Sequence, residues 1–159
     1  MSSSIGPNLR KYWRICSGLP FGQWFFSKAV GFIAPYSGTI SARVIHLEPG
    51  CGVVTLQEHR RVKNHLKSTH AIALVNLAEL VTGLTLMNSL PDNTRGILTG
   101  IQMQYLKKAR GLLTAKCLCE IPVTNDKKEM LIQGEITNEE GDVVATVSAN
   151  WLIGPEENN

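Results

Sequence analysis

A chain of 159 residues, 43% apolar and 18% charged, can bury one sizeable core and is too apolar to remain disordered. A net charge of +3 does not argue for a nucleic-acid partner. Its distribution is uneven: residues 1–78 hold nine Lys/Arg against two acids (Glu48 and Glu58), and residues 79–159 hold seven against eleven. The first half can therefore present an anion-facing surface, or simply a solvated basic face.

The four cysteines (Cys16, Cys51, Cys117, Cys119) include no CxxC pair, and "MSSSIGPNLRKYWR" lacks the apolar core of a secretory signal. The expectation is a reduced, cytoplasmic protein without a structural metal.

In chain order, "GPNLRKYWRICSGLPFGQWFFSKAVGFIAPY" reads as two short helices broken at Ser17-Gly18. Pro20 suits the first turn of the second, and Pro35 ends it. The segment is rich in aromatics, so it packs over the domain or meets another chain or a membrane surface. Two strand-like runs then flank the turn signal Pro49-Gly50. A basic, irregular connector, "RRVKNHLKST", follows, with Ser68 or Thr69 placed to cap a long helix from His70 to Leu90.

After the helix the pattern changes to period two. One strand groups Ile97, Ile101, Met103 and Tyr105; the next groups Leu113, Ala115, Cys117, Cys119 and Ile121. The third groups Met130, Ile132 and Ile136, and the last Val143, Ala145, Val147, Ala149 and Trp151. Short turn-rich breaks favour antiparallel pairing. A sheet with one apolar face needs a cover, and the long helix is the natural one. The expectation is an α+β domain in which a curved antiparallel sheet of about six strands wraps one helix.

Between Ala71 and Pro91 the only charged residue is Glu79. The helix is long enough to cross a bilayer, but a bilayer-centred carboxylate costs roughly 3 kcal/mol. Asn76, Thr82, Thr85 and Asn88 add further polarity, so no transmembrane segment is expected. A carboxylate inside a packed helix is costly unless paired, and desolvation would raise its pKa toward that of a general base. Alternatively Glu79 reaches solvent or pairs with a cation of the sheet. The N–H groups of residues 70–72 form a site for an oxyanion or a polarised carbonyl, and Asn64 lies just upstream. Glu79 is roughly 12–14 Å along the helix from that end. Two chains related by a twofold axis could bring both groups to one atom.

"NHLKSTHAIALVNLAELVTG" followed by "IQMQYLKKARGLLTAKC" resembles the hotdog-fold acyl-CoA thioesterases, most closely the phenylacetyl-CoA and hydroxybenzoyl-CoA types. The resemblance covers about residues 36–153. It implies a hotdog domain preceded by a helical extension (1–35) and followed by a polar tail (154–159). It implies an acyl-CoA or acyl-carrier thioester as substrate, no cofactor, and a homodimer or dimer of dimers with sites at the interface. By resemblance Asn64 supplies an amide and His70 opens the helix. Ala71 offers the backbone N–H that polarises the thioester carbonyl, and Glu79 is the catalytic acid. Arg60, Arg61, Lys63 and Lys67, with Lys107, Lys108 and Arg110, would lie near the entry groove for phosphates or an acidic carrier protein. Ala71-Ile72 stand where the family has Gly-Gly, which narrows the thioester's approach. A non-catalytic acyl-thioester binding module is therefore the alternative.

Overall fold

The structure, a computed structural model, describes residues 5–156. Three N-terminal helices come first: α1 (Ile5–Ser17), α2 (Gly22–Ile33) and the single turn α3 (Pro35–Gly38). The hairpin β1 (Arg43–Glu48) and β2 (Cys51–Gln57) turns at Gly50, whose φ of 81° suits glycine. A 3-10 turn at Arg60–Val62 leads to the long helix α4 (Ala71–Ser89). Four strands follow: β3 (Thr94–Tyr105), β4 (Leu112–Leu118), β5 (Lys128–Thr137) and β6 (Val143–Pro155).

The six strands form one antiparallel sheet in the order β1-β2-β4-β5-β6-β3. Its apolar face carries Leu56, Leu113, Ala115, Ile132, Ile136, Ala149 and Trp151, all buried together with Leu77, Val81 and Leu86 of α4. By length and composition α4 could cross a membrane, yet 67% of its apolar window is buried within the protein. Its buried hydroxyls are satisfied inside the helix: Thr82 donates to Ala78 O (2.9 Å), Thr85 to Val81 O (2.6 Å) and Ser89 to Thr85 O (2.6 Å).

Several local expectations need correction. His70, not Ser68 or Thr69, caps α4: its Nδ1 accepts the Ile72 N–H at 3.1 Å. Thr69 is held extended by a bridge to Lys63 and by its own N–H bond to Ala109 O (2.8 Å), so the helix cannot begin there. Pro20 lies in the turn before α2, which starts at Gly22 after Phe21. In β3 a bulge between Leu98 and Gly100 switches the inward positions. Leu98 faces Trp151 and Ile101 faces Ala149, whereas Ile97 points outward, 49% exposed. Strand β4 ends at Leu118; Cys119 is half-buried and Ile121 exposed.

The two edges of the sheet differ. Edge strand β1 is covered by α2: Gln23 Nε2 donates to Ile45 O (2.9 Å), and Val44 N–H donates to Ser27 Oγ (2.9 Å). The other edge, β3, pairs only with β6 among the described residues. Along its other side no further strand is paired among the described residues.

Candidate functional site

Glu79 is half-buried on the side of α4 that meets α3. Burial pushes its pKa up, and a hydrogen bond from the Ser37 hydroxyl offsets part of the rise. Ser37 belongs to α3, and the same turn is tied to α4 where Asn76 Nδ2 donates to Tyr36 O (3.1 Å). On its other side the carboxylate meets the space over Gly83. A Cβ at Gly83 would sit 3.1 Å from the Trp151 ring and 3.7 Å from Glu79 Oε1. The missing side chain lets indole and carboxylate approach the same patch. Trp151 Nε1 is itself buried without a hydrogen-bond partner.

Ser37 and Leu80 open onto a groove of about 1090 Å³ between α2–α3 and the β1–β2 end of the sheet. Trp24, Val30, Phe32 and Leu112 make much of its wall apolar. A second depression, about 570 Å³, lies on the opposite sheet face among Gln102, Gln104, Gln133 and Glu135, remote from these groups.

The helix N-terminus is separately built. His70 takes the Ile72 N–H, and the Ala71 N–H has no acceptor among the described residues. Ile72 stands beside it, 54% exposed. The Tyr105 hydroxyl, at the end of β3, donates to Ala71 O at 3.2 Å, and burial raises its pKa. Tyr105 was expected only as one of an apolar row; its contact with the helix end becomes visible once β3 is laid beside α4.

Asn64 is engaged through its side-chain oxygen. Its Oδ1 accepts from Leu66 N–H (2.9 Å), Ser68 N–H (3.2 Å) and Ser68 Oγ (3.2 Å). That oxygen braces the loop leading to α4, with Lys67 held at φ 57°. Only Nδ2 is left to face a ligand.

The two basic clusters come together. Thr69 N–H bonds Ala109 O, Glu58 N–H bonds Gly111 O, and Arg110 Nε donates to Lys67 O (3.1 Å), which joins residues 58–69 to the turn after β3. Between them sits Glu58, whose side chain is 9% exposed. Burial alone would raise its pKa, but the Gly111 N–H (2.7 Å), Lys63 (3.1 Å) and nearby Arg110 outweigh it and hold the carboxyl below its usual value. Lys63 is thus committed to Glu58, and Lys107 to Asp142 at 2.9 Å. Arg60, Arg61, Lys67 and Lys108 are exposed. Among the described residues no three His, Cys, Asp or Glu side chains are grouped to hold a metal. Cys117 is a core residue whose thiol is pushed up to about 12, chiefly by burial.

Comparison with solved structures defines the class. One structural-genomics crystal structure superposes with a TM-score of 0.81 at 26% identity, covering 93% of this chain and 99% of its own. A Pseudomonas aeruginosa protein described as a probable thioesterase gives 0.70 at 22% identity, with 77% and 88% covered. A Streptococcus mutans protein bound to acetyl-CoA gives 0.61 at 17% identity, with 72% and 90% covered. The fold is the hotdog fold. A family model described as "Domain of unknown function (DUF4442)" matches residues 22–153, and the chain belongs to that family. The match takes in α2 as well as the wrapped helix. No curated protein matches the sequence significantly.

Proposed function

We propose that the protein hydrolyses acyl thioesters at sites shared between two copies of the chain. The carrying observation is Glu79: a half-buried carboxylate with a raised pKa, in the middle of an otherwise uncharged helix, beside a largely apolar groove. A thioester carbonyl bound at the Ala71 N–H of one copy would meet Glu79 of the other. Water would lose a proton to Glu79 and add to the carbonyl carbon. The oxyanion would be held by the N–H, and collapse would break the C–S bond, releasing a carboxylate and a thiol. Direct attack by the carboxylate is the covalent variant of the same reaction. The open β3 edge supports a homodimer or dimer of dimers, because edge-to-edge pairing places the two α4 helices on a common side. His70 orients the helix end, and Asn64 Nδ2 is the remaining amide donor.

The likeness to a probable thioesterase and to an acetyl-CoA-bound protein supports acyl-CoA, or an acyl carrier protein, as the substrate class. The strip formed by Arg60, Arg61, Lys67, Lys108 and Arg110 suits phosphates. Thiol release measured over acyl-CoAs of varied length and aromaticity tests the reading. Glu79→Gln should lower the best turnover by roughly 100-fold or more while the fold and oligomer persist. Turnover equal to wild type would remove Glu79 from the chemistry.

The exposed Ile72 beside the Ala71 N–H favours one other reading, a module that binds acyl thioesters without cleaving them. That reading expects calorimetric binding of an acyl-CoA with no thiol released from any of them.

A further inference from the structure

We propose that the outer face of α2, with the turn before it, docks onto an anionic lipid bilayer. The inner face of α2 is fully engaged. Phe26 packs edge-on to Trp13 of α1 at 5.0 Å, and Gln23 and Ser27 hold strand β1. The outer face remains apolar. Phe21, Phe25 and Phe32 fall at helical spacing along it and are 82%, 60% and 86% exposed. Trp24 stands beside Phe25 at 4.9 Å, and Leu19 and Ile33 extend the patch at its two ends. Phe21 takes φ 61°, a backbone conformation a bulky residue rarely adopts. A surface of this size and apolarity marks an interaction site.

Charge selects the occupant. The groove beside the stripe is lined by Lys28 and Arg43 and, among the described residues, by no acid, while Arg10, Lys11 and Arg14 lie on the α1 side near Glu48 and Asp92. Lys28 lies in the stripe, its ammonium 5.7 Å from the Trp24 ring centre. Glu79 lies behind its hydrogen-bond partner Ser37 at the inner end of that groove, and on the α1 side Arg10 holds Asp92 at 2.6 Å. A second copy meeting this face across a twofold axis would set Lys28 against Lys28 with no acid between them, which opposes association. Aromatic rings beside lysine and arginine instead suit the boundary between acyl chains and anionic headgroups. Trp24, Lys28 and Phe32 also line the groove that reaches Ser37, so a docked molecule opens that groove toward the lipid.

Sedimentation of the full chain with phosphatidylcholine vesicles, with and without phosphatidylglycerol, tests the proposal independently of any thioester activity. Wild type should sediment with the anionic vesicles and be partly released by salt. The triple variant Phe21→Ser/Phe25→Ser/Phe32→Ser should lower the bound fraction roughly tenfold or more, with an unchanged melting temperature. Lys28→Glu should lower it roughly fivefold or more. Three results would overturn the proposal: no sedimentation of wild type, binding indifferent to phosphatidylglycerol, or undiminished binding of the triple variant. A wild-type oligomer that the triple variant dissociates in lipid-free light scattering would also overturn it, by assigning the face to a second copy.

Discussion

Helices α2 and α4 are equally apolar on average, yet they meet opposite surroundings. Fourteen of the nineteen residues of α4 are buried, against two of the twelve in α2. The difference lies in what each helix is given to touch. A six-stranded sheet curls around α4, and α1 and α3 close over the side that the sheet leaves. Helix α2 meets the domain along one side, through Gly22, Gln23, Phe26, Ser27, Val30 and Gly31, and leaves Phe21, Phe25 and Phe32 exposed. Average hydrophobicity therefore does not decide burial, and an apolar helix left half-open has a surface to account for.

Truncation of a core side chain in α4 gives the largest expected effect. Leu77 is fully buried, so Leu77→Ala should cost about 2–5 kcal/mol, through lost transfer energy and the cavity left behind. Urea denaturation checks it. A loss under about 1 kcal/mol would mean that the sheet grips α4 less tightly than its burial implies.

The next effect concerns how α2 is anchored. A Cβ on Gly22 would lie 1.7 Å from the carbonyl oxygen of Cys16, so Gly22→Ala must push α1 and α2 apart. Overpacking of this kind costs about 1–3 kcal/mol. Hydrogen exchange should rise in residues 5–33, with β4–β6 unchanged, because the sheet gains its stability from α4.

How much of this was legible in the sequence follows the same division. The wrapped helix, the Pro49-Gly50 hairpin and most of the inward rows could be read, with Leu113, Ala115 and Cys117 in β4, Met130, Ile132 and Ile136 in β5, and Ala145, Val147, Ala149 and Trp151 in β6; Val143 leaves its row where the register shifts at Ile136–Thr137. Ile97 was misplaced because a bulge at Leu98–Gly100 adds one residue, and nothing in the residue types announces it. Ser68 and Thr69 are good caps by type, but tertiary bonds to Lys63 and Ala109 hold Thr69 extended and pass the role to His70. The solitary charge of Glu79 was plain in the sequence. Its partner Ser37 was not, because it lies 42 positions away in a one-turn helix. The two basic clusters were visible separately; only the strand pairing around Glu58 shows that they are neighbours. The outward stripe of α2 stayed ambiguous, because a helix apolar all round does not declare which face is inside.

Titration offers a smaller effect on the α4 side. Glu79 binds its proton more tightly in the folded chain than in the unfolded one, so stability should fall as pH rises from about 4.5 through the raised folded pKa. Glu79→Gln should remove that decline. Glu58 has the opposite sign: its depressed pKa contributes stability above the unfolded value, which is lost as pH falls through the folded one. In melting curves, as pH rises through the acid range, Glu79→Gln should therefore gain stability relative to wild type, while Glu58→Gln should fall below it. Parallel shifts of the two variants would contradict the assigned environments.

The smallest expected effect carries the comparison furthest. Phe25 is as apolar as any residue of α4, but it is 60% exposed, and its close ring contact is Trp24 on the same helix. Phe25→Ser removes little buried area and leaves no cavity, so the melting free energy should stay within about 0.5 kcal/mol of wild type. The same change should lower retention on a hydrophobic matrix, because it subtracts from the exposed apolar stripe of α2. A loss above about 2 kcal/mol would show that the ring is covered in solution by another part of the protein or a second copy. Helices α2 and α4 would then differ in which chain buries them, and no longer in whether they are buried.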